Sequence, residues 1–186
     1  MYYEYEDVDE PKIDIAGRNA IALPERLWPD GRVPFIIHES LSKTSTSGRR
    51  CNSKVGRVGG VQKLKLRDEC NKLYAIIHEL NHALGFSHEH KRYDRDDYVT
   101  ILPDNIKPGQ EHNFVKVDPE MYKNINKFDF QSIMLYGSTS FSKQRGEKTM
   151  LRLNGTVIRK NKNLSPSDIV RINLLYDCPF LIDEMS

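Results

Sequence analysis

No apolar run in these 186 residues approaches the roughly 18 needed to cross a bilayer, which excludes a membrane-spanning helix. Neither sign of charge prevails: 28 basic against 26 acidic residues leave +2, which gives no case for nucleic acid or an anionic membrane surface as a partner. There is no internal repeat and no low-complexity tract. Cysteine is scarce, at Cys51, Cys70 and Cys178, and an odd number leaves one thiol over if the chain is secreted. A secretory leader is missing as well. Met1–Pro11 (MYYEYEDVDEP) is acidic and lacks the basic-then-apolar layout of a signal, so either the chain stays inside the cell or its true beginning lies elsewhere. What is present is 38% hydrophobic and 29% charged, enough for one modest core in one domain or in two small lobes sharing a cleft.

Punctuation and periodicity divide the chain. Trp28-Pro29-Asp30-Gly31 is a turn signal. Val33–His38 (VPFIIH) is predicted as a buried strand from its apolar run, and Val55–Leu66 as strand, bulge and strand. Leu73–Leu84 is the best helix: Leu73, Ile76, Ile77, Leu80, Ala83 and Leu84 recur at three and four, and Gly85 follows as a helix-ending residue. Val99–Leu102 reads as a short strand and Glu111–Val117 as a short helix. Thr149–Ile158 reads as strand, turn at Asn154-Gly155, strand. Ser165-Pro166-Ser167-Asp168 looks like a helix start, with Ile169–Tyr176 the helix.

The chemistry lies in Ile77–Glu89, I-H-E-L-N-H-A-L-G-F-S-H-E. His78 and His82 are four apart on the predicted helix, so both imidazoles leave one face and reach one ion. Glu79 stands beside the first of them, where it can hold a water. Gly85 can turn the chain at positive φ without a Cβ clash, which brings His88 back as a third ligand. Three histidines leave coordination positions open, the layout of a catalytic rather than a structural zinc site. With 6 His, 12 Glu and 11 Gly in the chain, the five fixed residues His78, Glu79, His82, Gly85 and His88 coincide by chance in roughly 2 of 100,000 such compositions.

H-E-x-x-H-x-x-G-x-x-H is the metzincin zinc motif. In the form HELNHALGFSHEH, followed by Arg92–Ile101 (RYDRDDYVTI), it resembles the astacin family of zinc endopeptidases. Ser132–Gly137 (SIMLYG) resembles that family's Met-turn. Trp28–Pro34, Cys51–Leu66 and Leu164–Cys178 are similar to its other segments, in order, from about Asn19 to the end. The resemblance implies an α+β fold of metzincin type with two lobes. An upper lobe would hold a reduced twisted sheet and the active-site helix; a mostly irregular lower lobe would end in the Ile169–Tyr176 helix. It implies one Zn2+ per chain, held by His78, His82 and His88, with Tyr136 as an additional ligand that swings away and donates to the oxyanion. Glu79 would be general base and then acid towards the leaving amine. Met134 would floor the metal. The partner implied is a protein or peptide substrate held against an edge strand of the Val55–Leu66 region, and the chain would be a secreted monomer. Residues 1–18 would be the remnant of a pro-segment and 19–186 the catalytic domain. Cleavage after Arg18 would free Asn19, whose terminus would meet Glu89.

The chain also departs from that pattern. Only Glu39–Arg50 stands between Ile37 and Cys51, where the family has a long helix and further strands. The missing piece supplies the cysteine that pairs with the one near the C-terminus. Cys51–Cys70 is then the remaining bridge, closing about 20 residues for about 3 kcal/mol, and Cys178 is left over. Residues 1–18 lack the F-x-G-D context of an inhibitory aspartate. Leu135 stands where the Met-turn often has histidine. Arg159-Lys160-Asn161 stands where the family often has Gly-Gln-Arg; it reads as a solvated basic loop, with a pocket for acidic residues through the lysine as the alternative. Asn154-Gly155-Thr156 and Asn163-Leu164-Ser165 are glycosylation sequons. The gap and the left-over cysteine keep a second reading open: a catalytically compromised zinc-binding domain that acts only as a binding module, or a non-functional truncated copy.

Overall fold

The computed structural model describes residues 20–38, 51–66, 70 and 72–178, so the expectations for residues 1–18, Asn19 and the Glu39–Arg50 loop lie outside the described residues. Among the described residues the longest element is helix α1, Leu73–Leu84, the span that the periodicity predicts. It stops at Gly85, which lies in the left-handed region at φ 111° and returns its N–H to the carbonyls of Asn81 and His82. A Cβ there would also meet Ile21 at 3.3 Å.

The strands are short. β1 (Ala20–Ile21) pairs antiparallel with β3 (Tyr122–Lys123). β2 (Val99–Ile101) pairs antiparallel with β4 (Met150–Arg152), with Thr100 opposite Leu151. β1 also ties to the turn after α1, since Ile21 N–H donates to Gly85 O at 2.8 Å and Ala20 bridges Phe86. Helix α2 (Pro166–Tyr176) starts as its sequence predicts: Pro166 is at the first turn, and Ser165 and Asp168 form a reciprocal capping box. The largest apolar cluster joins β2 and β4 to Ile106, Phe114, Phe128, Leu135, Tyr136, Phe141 and Ile158. A second joins Ala20, Phe86 and Leu175 and so packs α2 on the turn after α1. Trp28 pins the last turn of α1 by donating its indole N–H to Ala83 O at 2.8 Å.

Several expectations need correction. Val33–His38 is not a strand and is not buried: it has no strand partner among the described residues, and Phe35, Ile36 and Ile37 are 79%, 96% and 69% exposed. An apolar run becomes a strand only where a neighbour accepts its ladder of hydrogen bonds. Val55–Leu66 is likewise irregular; an isolated bridge from Asn52 to Lys65 replaces the strands, and Gly56, Gly59 and Gly60 all take positive φ. The apolar stripe of α1 does not face the core throughout. Leu73 is 74% and Leu80 45% exposed, while Ala75, His78, Glu79, Asn81, His82 and Ala83 are buried. The strand–turn–strand expected at Thr149–Ile158 keeps its first strand and its turn at Gly155, but beyond one bond from Arg152 N–H to Thr156 O the ladder of β4 is with β2. The helix at Glu111–Val117 shortens to one 3-10 turn, Glu111–Phe114. Cys51 and Cys70 are bridged, and Cys178 is free and exposed.

Candidate active site

The three motif histidines converge. One nitrogen from each of His78, His82 and His88 lies within 4.8 Å of the others, and all three side chains are buried. His78 and His82 are one turn apart on α1, so the helix itself sets their spacing. His88 arrives because Gly85 reverses the chain and Phe86 fastens to Ala20. The rings stand against one another, His78 and His82 edge-on at 4.8 Å between centroids and His82 and His88 edge-on at 4.7 Å.

Two of the rings have their tautomers fixed from behind. Nδ1 of His78 donates to Ile133 O at 3.0 Å, and Nδ1 of His82 donates to Phe86 O at 2.7 Å. Each bond leaves Nε2 as the metal-binding nitrogen. The Nε2 atoms of His78 and His88 are 3.2 Å apart. A tetrahedral zinc with bonds of 2.0–2.1 Å sets neighbouring nitrogens about 3.3 Å apart, so this pair is already at ligand spacing. Neutral imidazoles are the right donors, and the residues present fit zinc.

Glu79 follows His78 on α1 and is wholly enclosed, at 0% exposure. Tyr136 is buried, with its ring tilted against His88 at 4.5 Å. Met134 is buried too, and its carbonyl accepts the N–H of Glu89 at 3.0 Å, which ties the Met-turn to the residue after the third histidine.

Sequence reasoning missed His90 behind this site, and it named Glu89 without its arginine partners. His90 stacks on Tyr136 at 4.0 Å between centroids and donates Nε2–H to Asn113 O at 3.0 Å. Its signal was the second histidine of H-E-H, two places past His88. Glu89 is enclosed and receives Arg171 on both oxygens at 2.8 Å, Arg92 at 3.3 Å and the Asp129 N–H at 2.8 Å. Burial pushes its carboxyl up, against the opposing charges of Arg171 and Arg92. Asn19, the expected partner of Glu89, lies outside the described residues. Beside His78, Tyr74, Ala75, Ile133, Lys160 and Asn161 line a narrow crevice. Lys160 is thus both solvent-exposed, as the basic-loop reading expects, and on the rim of the site.

A zinc helix closed by a left-handed glycine, with a buried methionine turn behind the third histidine, places the domain among the metzincin zinc peptidases. The family model described as astacin, a peptidase family, matches residues 44–177, and the chain belongs to the astacin family of zinc-dependent endopeptidases. It is 38% identical over 200 residues to astacin-like metalloprotease toxin 1 of Loxosceles intermedia, covering 87% of this chain and 75% of that one. It is 34% identical over 201 residues to bone morphogenetic protein 1 of Xenopus laevis, covering 87% of this chain but 28% of that protein. Among solved structures it resembles high choriolytic enzyme 1, a hatching enzyme zinc-protease from Oryzias latipes, with TM-score 0.65 and 42% identity over 72% of this chain and 66% of that one.

Those lengths also bear on the gap. Since 87% of 186 residues is about 162, an alignment of 200 positions contains about 38 where the Loxosceles intermedia protein has residues and this chain has none. The exposed Phe35–Ile37 segment and the exposed side of α1 are what a missing layer would leave uncovered.

Proposed function

We propose that the chain is a secreted, monomeric zinc endopeptidase in which His78, His82, His88 and Tyr136 bind the metal and Glu79 and Tyr136 carry the proton and charge chemistry. The observation that carries this reading is the buried convergence of the three imidazoles with Glu79 in the same helical turn. What zinc supplies when bound is Lewis acidity, which polarises the scissile carbonyl and makes water a nucleophile near neutral pH.

The remaining work falls to side chains. Nδ1–H of His78 and of His82 stay on their backbone carbonyls and hold the rings in one tautomer throughout. A carboxylate oxygen of Glu79 takes the proton of the attacking water and then delivers it to the leaving amine nitrogen. Enclosure of Glu79 strengthens that exchange by excluding competing solvent. The Tyr136 hydroxyl donates to the oxyanion as charge develops there. Val55–Leu66 forms no edge strand among the described residues to hold a substrate, so the peptide passes beside His78, where the nearby Lys160 ammonium favours an acidic side chain. Residues 1–18 are the remnant of a pro-segment, with cleavage after Arg18 leaving 19–186 as the catalytic domain.

The test is hydrolysis of an internally quenched peptide by wild type and Glu79→Ala, each with its zinc content measured. Loss of turnover with zinc retained supports the reading. Equal turnover in the two proteins removes Glu79 from its role, and a wild type without stoichiometric zinc removes the ligand set.

A further inference from the structure

Two residues of α2 reach back to neighbours of two metal-ligand histidines, Asp168 to the segment that holds His78 and Arg171 to the residue after His88. Asp168, buried in the first turn, accepts the Ser132 hydroxyl on Oδ1 at 2.7 Å and the Ile133 N–H on Oδ2 at 2.9 Å. Ile133 in turn offers its carbonyl to Nδ1 of His78 at 3.0 Å. One helical turn later Arg171, also buried, places both terminal nitrogens on the Glu89 carboxylate at 2.8 Å. Glu89 is the residue after His88, and its own N–H is held by Met134 O. Arg171 is itself aimed by Asn126, by Lys127 O at 3.0 Å and, more distantly, by Asp168 at 3.7 Å.

We propose that Asp168 and Arg171 are positioning residues for the metal site: spaced one turn apart on α2, they hold the His78 and His88 rings in register, so that docking of α2 and zinc affinity form one linked equilibrium. The inference rests on the reading of His78 and His88 as ligands.

The physical case is geometric. An imidazole binds zinc well only when its other nitrogen is held, and the group holding His78 is a backbone carbonyl in a segment without regular structure. Asp168 makes that segment rigid by taking both the hydroxyl and the N–H that flank the turn. Its own position is fixed by the capping box, where it accepts the Ser165 N–H at 3.0 Å. Arg171 acts near His88 through the chain: with a planar fork, a geometry that a lysine cannot reproduce, it fixes the side chain of the next residue, Glu89. Because the two anchors lie on one rigid helix, the segments next to His78 and His88 are both tied to α2. By reciprocity, metal that orders the histidines must also hold α2 in place.

The experiment compares the full chain as wild type, Asp168→Asn, Arg171→Lys and Ile106→Ala; the last is a core truncation outside the brace. Zinc affinity is read by chelator competition, and amide hydrogen exchange is followed in the wild type with and without chelator. Asp168→Asn and Arg171→Lys are expected to weaken zinc binding about 10–100-fold. Ile106→Ala should lower the melting temperature and leave zinc affinity unchanged. In the wild type, chelation should release protection in Ile169–Tyr176 well before Val99–Ile101.

Wild-type zinc affinity in both brace variants overturns the proposal. So does an equal loss of affinity in Ile106→Ala, which would mark general destabilisation. Exchange in α2 that ignores chelation overturns it too, and this readout stands even if the variants fail to fold. A wild type that binds no zinc sinks the ligand reading instead, a result that needs no variant.

Discussion

Glu89 and Arg171, 82 residues apart in sequence, meet as a two-pronged ion pair with both nitrogen–oxygen distances at 2.8 Å. Both side chains are closed off from solvent. Arg171→Ala would remove both of these contacts, while those of Arg92, at 3.3 Å, and of the Asp129 N–H stay. Breaking a buried pair from one side costs about 3–5 kcal/mol, because the orphaned charge stays buried. Urea unfolding of the metal-free protein should show a loss of that size. Replacing both partners with Met should cost less than Arg171→Ala alone.

Gly85 supplies a second prediction. A side chain in the left-handed region costs about 1–2 kcal/mol, and here a Cβ also presses on Ile21 at 3.3 Å. Gly85→Ala should therefore destabilise the fold by at least that amount. It should also weaken zinc binding, because the third histidine depends on this reversal. Thermal melts with and without zinc separate the two effects.

Acid stability depends in part on Asp94. Burial raises its pKa, but the fork of Arg92, with contacts at 2.9 and 2.8 Å, outweighs that and holds the carboxyl below the usual range. A depressed carboxylate contributes stability that is whole above the unfolded value, about 3.9, and is lost as pH falls through the folded value. Stability of the metal-free protein should therefore fall below about pH 4, more steeply in wild type than in Asp94→Asn. Parallel curves would show that Asp94 contributes nothing.

The uncovered apolar surface makes a solubility prediction. Ile36 is 96% and Leu73 74% exposed, so neither contributes much burial to folding. Ile36→Thr with Leu73→Glu should reduce aggregation and binding of a hydrophobic dye. The new glutamate at the start of α1 faces the positive end of the helix dipole and should add about 0.3–1 kcal/mol. A lower melting temperature in the double variant would show that the two residues are covered in solution.

The Cys51–Cys70 bridge closes a 19-residue separation. Removing it with paired Ala substitutions should cost about 3 kcal/mol through the freed unfolded chain. Denaturant unfolding under oxidising conditions measures the loss, and Cys178→Ala serves as the control with little expected effect.

Local signals were legible in the sequence and remote ones were not. α1 matched its predicted span because repeats at three and four and a terminal glycine are properties of the segment itself. α2 was legible from Ser165 and Pro166 for the same reason. The ligand set was legible because helical geometry turns spacing into a shared face. Val33–His38 misled because a strand depends on a neighbour, and a run of apolar residues says nothing of whether one exists. The buried side of α1 was misjudged because the histidines and Glu79, polar in composition, occupy the inward face. Asp168 was visible as a helix-starting residue, but nothing local announces that it also holds Ile133, 35 positions away.

That double duty narrows what position 168 tolerates. Glutamate is a usual choice at this point of a helix, since it completes the reciprocal cap with the leading serine. Here an extra methylene would push the carboxylate into the turn it must grip at under 3 Å. Optimising this helix in isolation would favour the longer acid, at the expense of the distant loop. A library at position 168, scored for helix content and for bound zinc, should give opposite rankings of aspartate and glutamate.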